Sequence, residues 1–399
     1  MANVKYIVTY ADTLEKISFF ERFYPAVREF GCEIVLLTNR VSALFLSHNI
    51  TIRLVTKTDQ AKNGEEIPLT REVSDGSLTQ NESEILFWSV YNAAKREVEN
   101  NIIECIFIFG GTNTPEKAMQ RLANDYGIKT LFFELSNIPG KIFVDPVGTN
   151  ADSSLSKDNT IIDKYAANDS DYDAWKELYL ANKNKYKLNP PQALKQRTYN
   201  PFYIVDHIGF KLFNVPYEDN RSFLGKLQRK LDRNTLIVYD DYNLSAGNYI
   251  FFPMQVSNDA QILFYSGMNN AEGIEYAVAA ANREGKTLLV KPHPAEVNPN
   301  EISRILDLKK EHKFLFVNYP AVDILNYCDN VITINSTVGL EAMIMGKKVE
   351  FLGKTFYKTF TEARLKKYIM SYLIDFDFYL PEPITAEHIN KMLQRIIKY

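Results

Sequence analysis

The chain of 399 residues carries 46 Lys and Arg against 49 Asp and Glu, a formal net charge of -3. Its length suits two domains that each bury a hydrophobic core, and its near-neutral charge argues against a surface built as a whole for nucleic acid. A content of 46% hydrophobic and 24% charged residues excludes a disordered or fibrous chain.

The sequence also bears on localisation. No stretch approaches the roughly 20 apolar residues of a membrane-spanning helix, and Cys32, Cys105 and Cys328 are too few and too scattered for a disulfide framework or a metal knuckle. Because the first residues run directly into a strand-like segment, we expect no signal peptide and a cytoplasmic protein. The 24 Tyr and 25 Phe suit either sugar-binding pockets or plain core packing.

The first half alternates strand and helix patterns. An apolar run at 6–10 precedes a helical pattern at 14–30 and a strand at 33–38, which together predict a right-handed strand–helix–strand unit in a parallel sheet. The same order returns further along, and two polar segments interrupt it. The elements predicted there are strands at 102–109 and 129–134, a helix at 115–126, a long loop at 58–83 and a helical insertion at 145–200.

The second half shows the same alternation more clearly, and it ends in a helical tail from 361 to 399. The predicted strands are at 235–239, 249–253, 287–291, 314–318, 331–334 and 349–352. The predicted helices between them are at 271–283, 300–312, 322–328 and 338–345. This order predicts an α/β fold with two Rossmann-like domains facing across a cleft, at 1–233 and 234–399, the architecture called GT-B.

The first motif with chemical meaning is Lys291-Pro-His-Pro, at the carboxyl end of a predicted buried strand. Ligands of open α/β sheets bind at this edge, and the prolines restrict the backbone around His293. A lysine beside an imidazole suits an anionic group such as a nucleotide phosphate. The alternative is a loop histidine with structural hydrogen bonds only.

The second motif runs from Asn335 through Ser336 and Thr337 to Glu341, where a strand turns into a helix. The first amides of a helix lack internal partners and attract anions, so this helix start predicts a phosphate site. Glu341, one turn later, is placed to reach a ribose hydroxyl. A simple helix cap is the alternative.

A third motif, Phe252-Pro-Met-Gln-Val-Ser-Asn-Asp259, also follows a strand. Its Gln255 and Asp259 are candidates for recognising a base or a sugar, and ordinary turn chemistry explains them equally well.

These three segments resemble, in order, segments of the bacterial capsule polysaccharide biosynthesis proteins, a family that includes retaining β-Kdo glycosyltransferases. The segments 133–140, 145–150 and 346–357 are also similar to that family's pattern, so the resemblance covers roughly 110–357. It implies a GT-B enzyme whose N-terminal domain is the acceptor side and whose C-terminal domain binds the CMP-sugar. The implied reaction moves β-Kdo from CMP-β-Kdo to a lipid-linked surface glycan of the capsule or O-antigen type. No cofactor and no metal are implied.

Within that expectation, Lys291, His293, Asn335, Ser336, Thr337, Glu341 and Gln255 bind the donor, with His293 also counted as catalytic. Retention by double displacement needs a carboxylate nucleophile, and the candidates are Asp232, Asp240, Asp241 and Asp259. Asp232 is our first choice because cations surround it in 226–233, and Asp259 is the second. A solvated helix end explains Asp232 as well.

Glu134, after a buried strand of the first half, is the candidate for acceptor binding or general base, with a capping role as its alternative. Two other functions stay open at this point. One is a GT-B transferase that uses CMP-sialic acid or a UDP-sugar, and the other is a non-catalytic glycan-binding assembly subunit. The pattern also fits one module of a larger polysaccharide synthase. The basic tail at 391–399 suits either packing or peripheral contact with the inner membrane.

Overall fold

The computed structural model describes residues 4–46, 48–57, 65–136, 138–186, 202–216, 237–328 and 330–397. Within these ranges the strands, numbered in chain order from β1 to β11, are Lys5–Ala11, Cys32–Thr38, Thr51–Leu54, Ile102–Phe109, Thr130–Leu135, Ile142–Asp145, Tyr249–Pro253, Thr287–Lys291, Leu315–Phe316, Asn330–Thr333 and Lys348–Phe351.

The α-helices of the same ranges, numbered from α1 to α15, are Leu14–Glu21, Tyr24–Glu29, Arg71–Ser74, Gln80–Asn100, Thr114–Tyr126, Ser154–Lys157, Asp169–Tyr186, Phe202–Leu212, Ala260–Tyr265, Asn270–Glu284, Pro299–Glu311, Ala321–Tyr327, Thr337–Ile344, Glu362–Lys367 and Ala386–Ile397. Local signals set several of these bounds. Asn269 and Glu272 form a capping box at the start of α10, and Gly285 ends that helix in the left-handed conformation.

The chain folds into two compact units. Unit 1 comprises 1–161, 197–219 and 371–399, and unit 2 comprises 162–196 and 220–370. Each unit is built on its own predominantly parallel sheet with helices packed against it, so the predicted fold class of two Rossmann-like domains is confirmed.

Unit 1 contains a six-stranded sheet in the order β3-β2-β1-β4-β5-β6, in which β6 alone is antiparallel to its neighbour. Its core is rich in phenylalanine, and rings 5.0–6.4 Å apart meet mostly edge to face around Phe19, Phe20, Phe23, Phe107 and Phe133. In this unit, the aromatic excess of the sequence is largely core packing.

Two predictions for the first half need correction. The single helix expected at 14–30 is two helices, α1 and α2, and the break falls just before Pro25, which cannot donate the backbone hydrogen bond that continuity requires. The long loop expected at 58–83 contains α3, and it ends where α4 begins. A capping box between Thr79 and Glu82 starts α4, and this helix was not predicted.

The tail packs on unit 1, which differs from its predicted place in a domain at 234–399. In α15, Ile389, Met392 and Ile396 are buried in the unit 1 core, and the Arg395 guanidinium donates to the carbonyl of Val144. The amphipathic pattern therefore serves packing.

Unit 2 contains a five-stranded parallel sheet in the order β11-β10-β7-β8-β9. The segment with α7, expected in the first domain, belongs to this unit. The strand expected at 235–239 is not seen at 237–239, where Val238 is 76% exposed, and 235–236 lie outside the described residues.

Candidate functional site

The order of the unit 2 sheet defines a switch point. From β7 the chain proceeds to β8 and β9 on one side, and then returns to place β10 and β11 on the other side. The loops after β7 and β10 therefore diverge, and open α/β sheets bind ligands in the crevice that such loops leave. Both loops carry residues that the sequence singled out.

Gln255, after β7, and Asn335, after β10, are hydrogen-bonded to each other across this switch point. The Gln255 Nε2 donates to Asn335 Oδ1 at 2.8 Å, and the Asn335 backbone N–H donates to Gln255 Oε1 at 3.0 Å. Asn335 Nδ2 donates further to the carbonyl of Gln261 at 3.0 Å. Both side chains are buried, at 8% and 2% exposure. In the structure they tie the two loops together, and their predicted contact with a donor stays a prediction.

Lys291 and His293 lie at the carboxyl end of β8, next to β7. His293 Nδ1 accepts the N–H of Ala295 at 3.1 Å, so the ring proton of the neutral form is on Nε2. Burial, reinforced by the charge of Lys291, lowers the pKa of His293 despite the opposing carboxylates of Asp259 and Glu296. Burial also lowers the pKa of Lys291. This loop thus offers one ammonium group and one neutral N–H donor.

Ser336 begins α13 as its N-cap. Its hydroxyl accepts the N–H of Val338 at 3.2 Å, as the helix-cap interpretation predicts. Thr337 is the first helical residue and is half-buried. The end of β10 and the end of β8 are two strands apart, about 10 Å, so the helix start and the histidine loop share one edge of the sheet.

Glu341 makes a contact that the sequence did not predict. Its Oε1 lies 2.6 Å from Nζ of Lys183 in α7, and the two side chains are only 14% and 12% exposed. The Lys183 ammonium also lies 5.6 Å from the ring centre of Tyr179, a buried residue of the same helix. Lys183 is therefore a residue of this site, although 158 positions separate it from Glu341.

Unit 1 has a switch point of its own between β1 and β4. Lys16, in α1, lies 2.9 Å from Asp12 Oδ1 and 3.6 Å from Glu116 Oε1. The other oxygen of Glu116 accepts three backbone N–H groups of the turn after β4, those of Gly111, Thr112 and Asn113, at 2.6–3.0 Å. A compact cluster of opposite charges therefore holds the edge of this sheet.

Glu134, the predicted acceptor-side carboxylate, lies in β5 and interacts electrostatically with Lys16 of this cluster. Burial alone would lower the pKa of Lys16, but the carboxylates of Asp12, Glu116 and Glu134 raise it above its ordinary value. Nearby, the hydroxyl of Tyr10 is buried with no hydrogen-bond partner among the described residues. Burial raises the pKa of Glu72 to about 7, helped by the charge of Glu116.

The sequence model of the family described as capsule polysaccharide biosynthesis protein matches residues 104–361, well over half of the chain. The chain belongs to the capsule polysaccharide biosynthesis family. The match contains all the predicted donor-binding residues and Glu134, so the resemblance drawn from the sequence motifs is confirmed at the level of the family.

Two curated relatives are each 24% identical to this capsule-family chain. One is the capsule polysaccharide export protein KpsS of Escherichia coli, aligned over 64% of this chain and 68% of KpsS. The other is FixF of Sinorhizobium fredii, of which the alignment spans about half, 49%, against 63% of this chain. Among solved structures, the β-Kdo 2,4-transferase of Thermosulfurimonas dismutans KpsC is 17% identical with a TM-score of 0.45, over 74% of this chain and 87% of that one.

Three of the four nucleophile candidates lie within the described residues. Asp232, together with the cationic segment 226–233, lies outside the described residues. Asp259 is exposed and caps α9 by accepting the N–H of Gln261 at 2.8 Å, which is ordinary turn chemistry. Asp240 pairs with Lys309 and accepts the N–H of Phe316, and Asp241 is exposed.

Among the described residues, no three His, Cys, Asp or Glu side chains are grouped to hold a metal ion, and no helix is long and apolar enough to cross a membrane.

Proposed function

We propose that the protein is a metal-independent glycosyltransferase that moves β-Kdo from CMP-β-Kdo to a bacterial surface glycan with retention of configuration. Membership of the capsule polysaccharide biosynthesis family supports this proposal. The observation that carries it is the carboxyl edge of the unit 2 sheet, where Lys291, His293 and the Ser336-capped start of α13 lie. The assignment of a CMP-sugar to this edge of the sheet rests on the family resemblance.

The chemistry of this edge suits a donor with a single phosphate. The Lys291 ammonium supplies one positive charge, and the neutral His293 donates from Nε2 to a phosphate oxygen. The start of α13 adds the positive end of a helix dipole. Glu341, fixed by Lys183, is assigned to the ribose hydroxyls. A monophosphate needs less compensating charge than a diphosphate, so these groups suffice without a metal.

Retention follows from two displacements. A carboxylate oxygen attacks the anomeric carbon of Kdo, the bond to the phosphate oxygen breaks, and CMP leaves with the bonding electrons. The acceptor hydroxyl then attacks the same carbon and loses its proton to a base, and the carboxylate is released unchanged. The sequence assigns the nucleophile to Asp232, and that assignment remains a proposal.

We assign the base and the acceptor to unit 1. Glu134 lies at the carboxyl edge of its sheet, in the charge cluster of Asp12, Lys16 and Glu116. Charged groups held in fixed positions suit the many hydroxyls of a sugar. The acceptor is a lipid-linked glycan of the bacterial surface, which the protein meets as a cytoplasmic enzyme with peripheral contact to the inner membrane.

The first test is donor selection. Purified protein is mixed with CMP-β-Kdo, CMP-sialic acid and a UDP-sugar, and nucleotide release is measured for each donor. We expect release of CMP from CMP-β-Kdo only, and loss of release in His293→Ala and Lys291→Ala. Release from another donor alone would show a different transferase. Glycan binding without release from any donor, retained in both variants, would show a non-catalytic assembly subunit.

The second test concerns the covalent intermediate. Intact-mass analysis after incubation with CMP-β-Kdo should show an adduct of the size of Kdo, and peptide fragmentation should map it to Asp232. An adduct on another carboxylate would identify that residue as the nucleophile, and the proposed reaction would still hold.

A further inference from the structure

Tyr179, in α7, has a buried hydroxyl that makes no hydrogen bond to any described part of the chain. The residue is 7% exposed. The contrast within unit 2 is Tyr249, which is also buried and whose hydroxyl donates to the carbonyl of Ile324 at 2.6 Å. Because an unpaired buried polar group costs stability, a native structure that keeps one calls for an explanation. A bound ligand that pairs with the Tyr179 hydroxyl is such an explanation.

The ring of Tyr179 is held in place by side chains of its own helix. Trp175 lies four residues before it and Lys183 four residues after it, so the three side chains share one face of α7. The Trp175 ring stacks on the Tyr179 ring, with the ring centres 5.0 Å apart and the planes 19° from parallel. The Lys183 ammonium lies 5.6 Å from the centre of the Tyr179 ring. These contacts leave the hydroxyl little freedom to turn towards another partner.

Tyr179 also lies beside a carboxylate. The Lys183 ammonium that contacts its ring is the one that lies 2.6 Å from Oε1 of Glu341 in α13. Burial raises the pKa of Tyr179 well above its ordinary value, and the charge of Glu341 raises it further. The hydroxyl therefore keeps its proton at neutral pH. A hydroxyl that can donate and a carboxylate that can only accept are thus neighbours on two helices of unit 2.

We propose that Tyr179 and Glu341 together bind the ribose of the donor nucleotide. A ribose carries two adjacent hydroxyls, each of which can donate and accept. Glu341 accepts from one of them, and the Tyr179 hydroxyl donates to the oxygen of the other. Glu341 lies four residues, about 6 Å, beyond the first residue of α13. That distance suits a nucleotide whose phosphate lies at the start of the helix and whose ribose follows.

This inference rests on the proposed function only for the presence of a nucleotide at this edge of the unit 2 sheet. It requires neither Kdo nor transfer to an acceptor, because the ribose is common to CMP and UMP. It also adds a residue from outside the motif that runs from Asn335 to Glu341, since Tyr179 is 162 positions before Glu341 in the chain.

Calorimetric titration of the full-length wild type and of Tyr179→Phe with CMP, UMP and 2′,3′-dideoxy-CMP tests the proposal. We expect the variant to lose about tenfold in affinity for CMP, whereas its affinity for the dideoxy nucleotide should equal that of the wild type. Since Tyr179→Phe removes an unpaired hydroxyl, its midpoint of chemical denaturation without nucleotide should not fall. The matched control is Tyr10→Phe, because Tyr10 also has a buried hydroxyl with no partner among the described residues, but lies in unit 1. Its CMP affinity should equal that of the wild type.

Four results would overturn the proposal. They are equal affinity of Tyr179→Phe and the wild type for CMP, an equal loss for CMP and for the dideoxy nucleotide, an equal loss in Tyr10→Phe, and a wild type that binds neither CMP nor UMP. A lower denaturation midpoint with unchanged affinity would identify a purely structural hydroxyl.

Failure of the proposed transferase gives a different pattern. A wild type that binds UMP in place of CMP, with a tenfold loss in Tyr179→Phe, would contradict the proposed donor and support the ribose contact. CMP binding that depends on Tyr179, without release of CMP from CMP-β-Kdo, would contradict the transfer of Kdo and again support the ribose contact.

Discussion

Nζ of Lys183 lies 2.6 Å from Oε1 of Glu341, and this ion pair joins α7 to the α13 helix that begins at Ser336. Both side chains are nearly buried, so solvent screens the pair only weakly. The pair fixes one oxygen of Glu341, and the proposed ribose contact falls to the other. A residue that the motif alone presents as a free carboxylate is thus held by a distant helix.

Replacement of Lys183 should therefore affect both folding and binding. In Lys183→Met the carboxylate of Glu341 loses its partner, and we expect about 2 kcal/mol less free energy of unfolding. Affinity for CMP should fall, whereas affinity for 2′,3′-dideoxy-CMP should not. Chemical denaturation and calorimetric titration measure the two effects. The control is Lys176→Met on the same helix, which should change neither.

The same pair can be removed as a whole. Lys183→Met/Glu341→Gln leaves no unpaired buried charge, so its free energy of unfolding should lie closer to the wild type than that of Lys183→Met. CMP should still bind more weakly than to the wild type, because the ribose contact is lost. Strictly additive losses of stability in the double variant would contradict the ion-pair interpretation.

His293 should act as a neutral donor. Its pKa is lowered by burial, and Nδ1 is occupied by the N–H of Ala295. We expect CMP affinity to stay constant between about pH 6.5 and 8.5, and to fall about tenfold in His293→Ala. His293→Gln, which retains an N–H donor, should lose less. A CMP affinity of the wild type that falls steadily as the pH rises through this range would show that His293 binds as a cationic imidazole. His312→Ala is the control.

Glu72 ends a buried chain of hydroxyl groups. Thr114 Oγ1 lies 3.1 Å from Thr70 Oγ1, 2.9 Å from Ser83 Oγ and 3.1 Å from Glu72 Oε2, and Thr70 and Ser83 are 3.2 Å apart. Glu72 Oε2 is an acceptor in this group, since Thr114 donates to it from its hydroxyl and, at 3.0 Å, from its backbone N–H. Burial nevertheless raises the pKa of Glu72 to about 7.

The raised pKa of Glu72 has a measurable consequence for stability. Because folding raises the pKa of Glu72 from 4.5 to about 7, the stabilisation is fully present below pH 4.5 and is lost as the pH rises through 7. Glu72→Gln keeps an N–H donor at every pH. Relative to this variant, the wild type should lose about 3 kcal/mol in free energy of unfolding over that range. A constant difference would contradict the raised pKa of Glu72, and Glu66→Gln should follow the wild type.

Substitution of Gly110 tests the turn after β4, whose backbone N–H groups donate to Glu116. Its φ is +96°, and a Cβ would lie 2.6 Å from Glu116 Oε1. Gly127 also has a positive φ, +63°, but a Cβ there meets nothing within 4 Å. Gly127→Ala should cost about 1 kcal/mol from backbone strain alone. Gly110→Ala should cost at least about 1 kcal/mol more, and equal losses in thermal denaturation would contradict the close contact.

Much of the fold was predictable from the sequence because each buried strand shows as an apolar run and each helix end as a cap. The element at 287–291 was predicted with its observed bounds. It ends at Lys291, and His293 follows it at the sheet edge as expected. α4 was missed because its polar first turn, Gln80–Ser83, resembles a loop until the capping box of Thr79 is recognised. Pro25 was the available signal for the break between α1 and α2.

The partners of the candidate site residues were less predictable, because they depend on tertiary packing. Nothing near Glu341 in the sequence points to Lys183, and nothing near Gln255 points to Asn335, 80 positions away. In unit 1, Asp12 and Lys16 did carry a signal, since they are four residues apart directly after the first strand. Their pairing with Glu116 requires the fold, which brings β1 and β4 side by side.

The most direct test of the transferase proposal is the product that the purified protein forms from CMP-β-Kdo and a synthetic acceptor glycan, analysed by nuclear magnetic resonance. We expect one new Kdo residue in β-linkage, formed without added metal and absent with His293→Ala. A product with α-linked Kdo would contradict retention. An acceptor that gains another sugar from another donor, and no Kdo from CMP-β-Kdo, would contradict the proposed function itself.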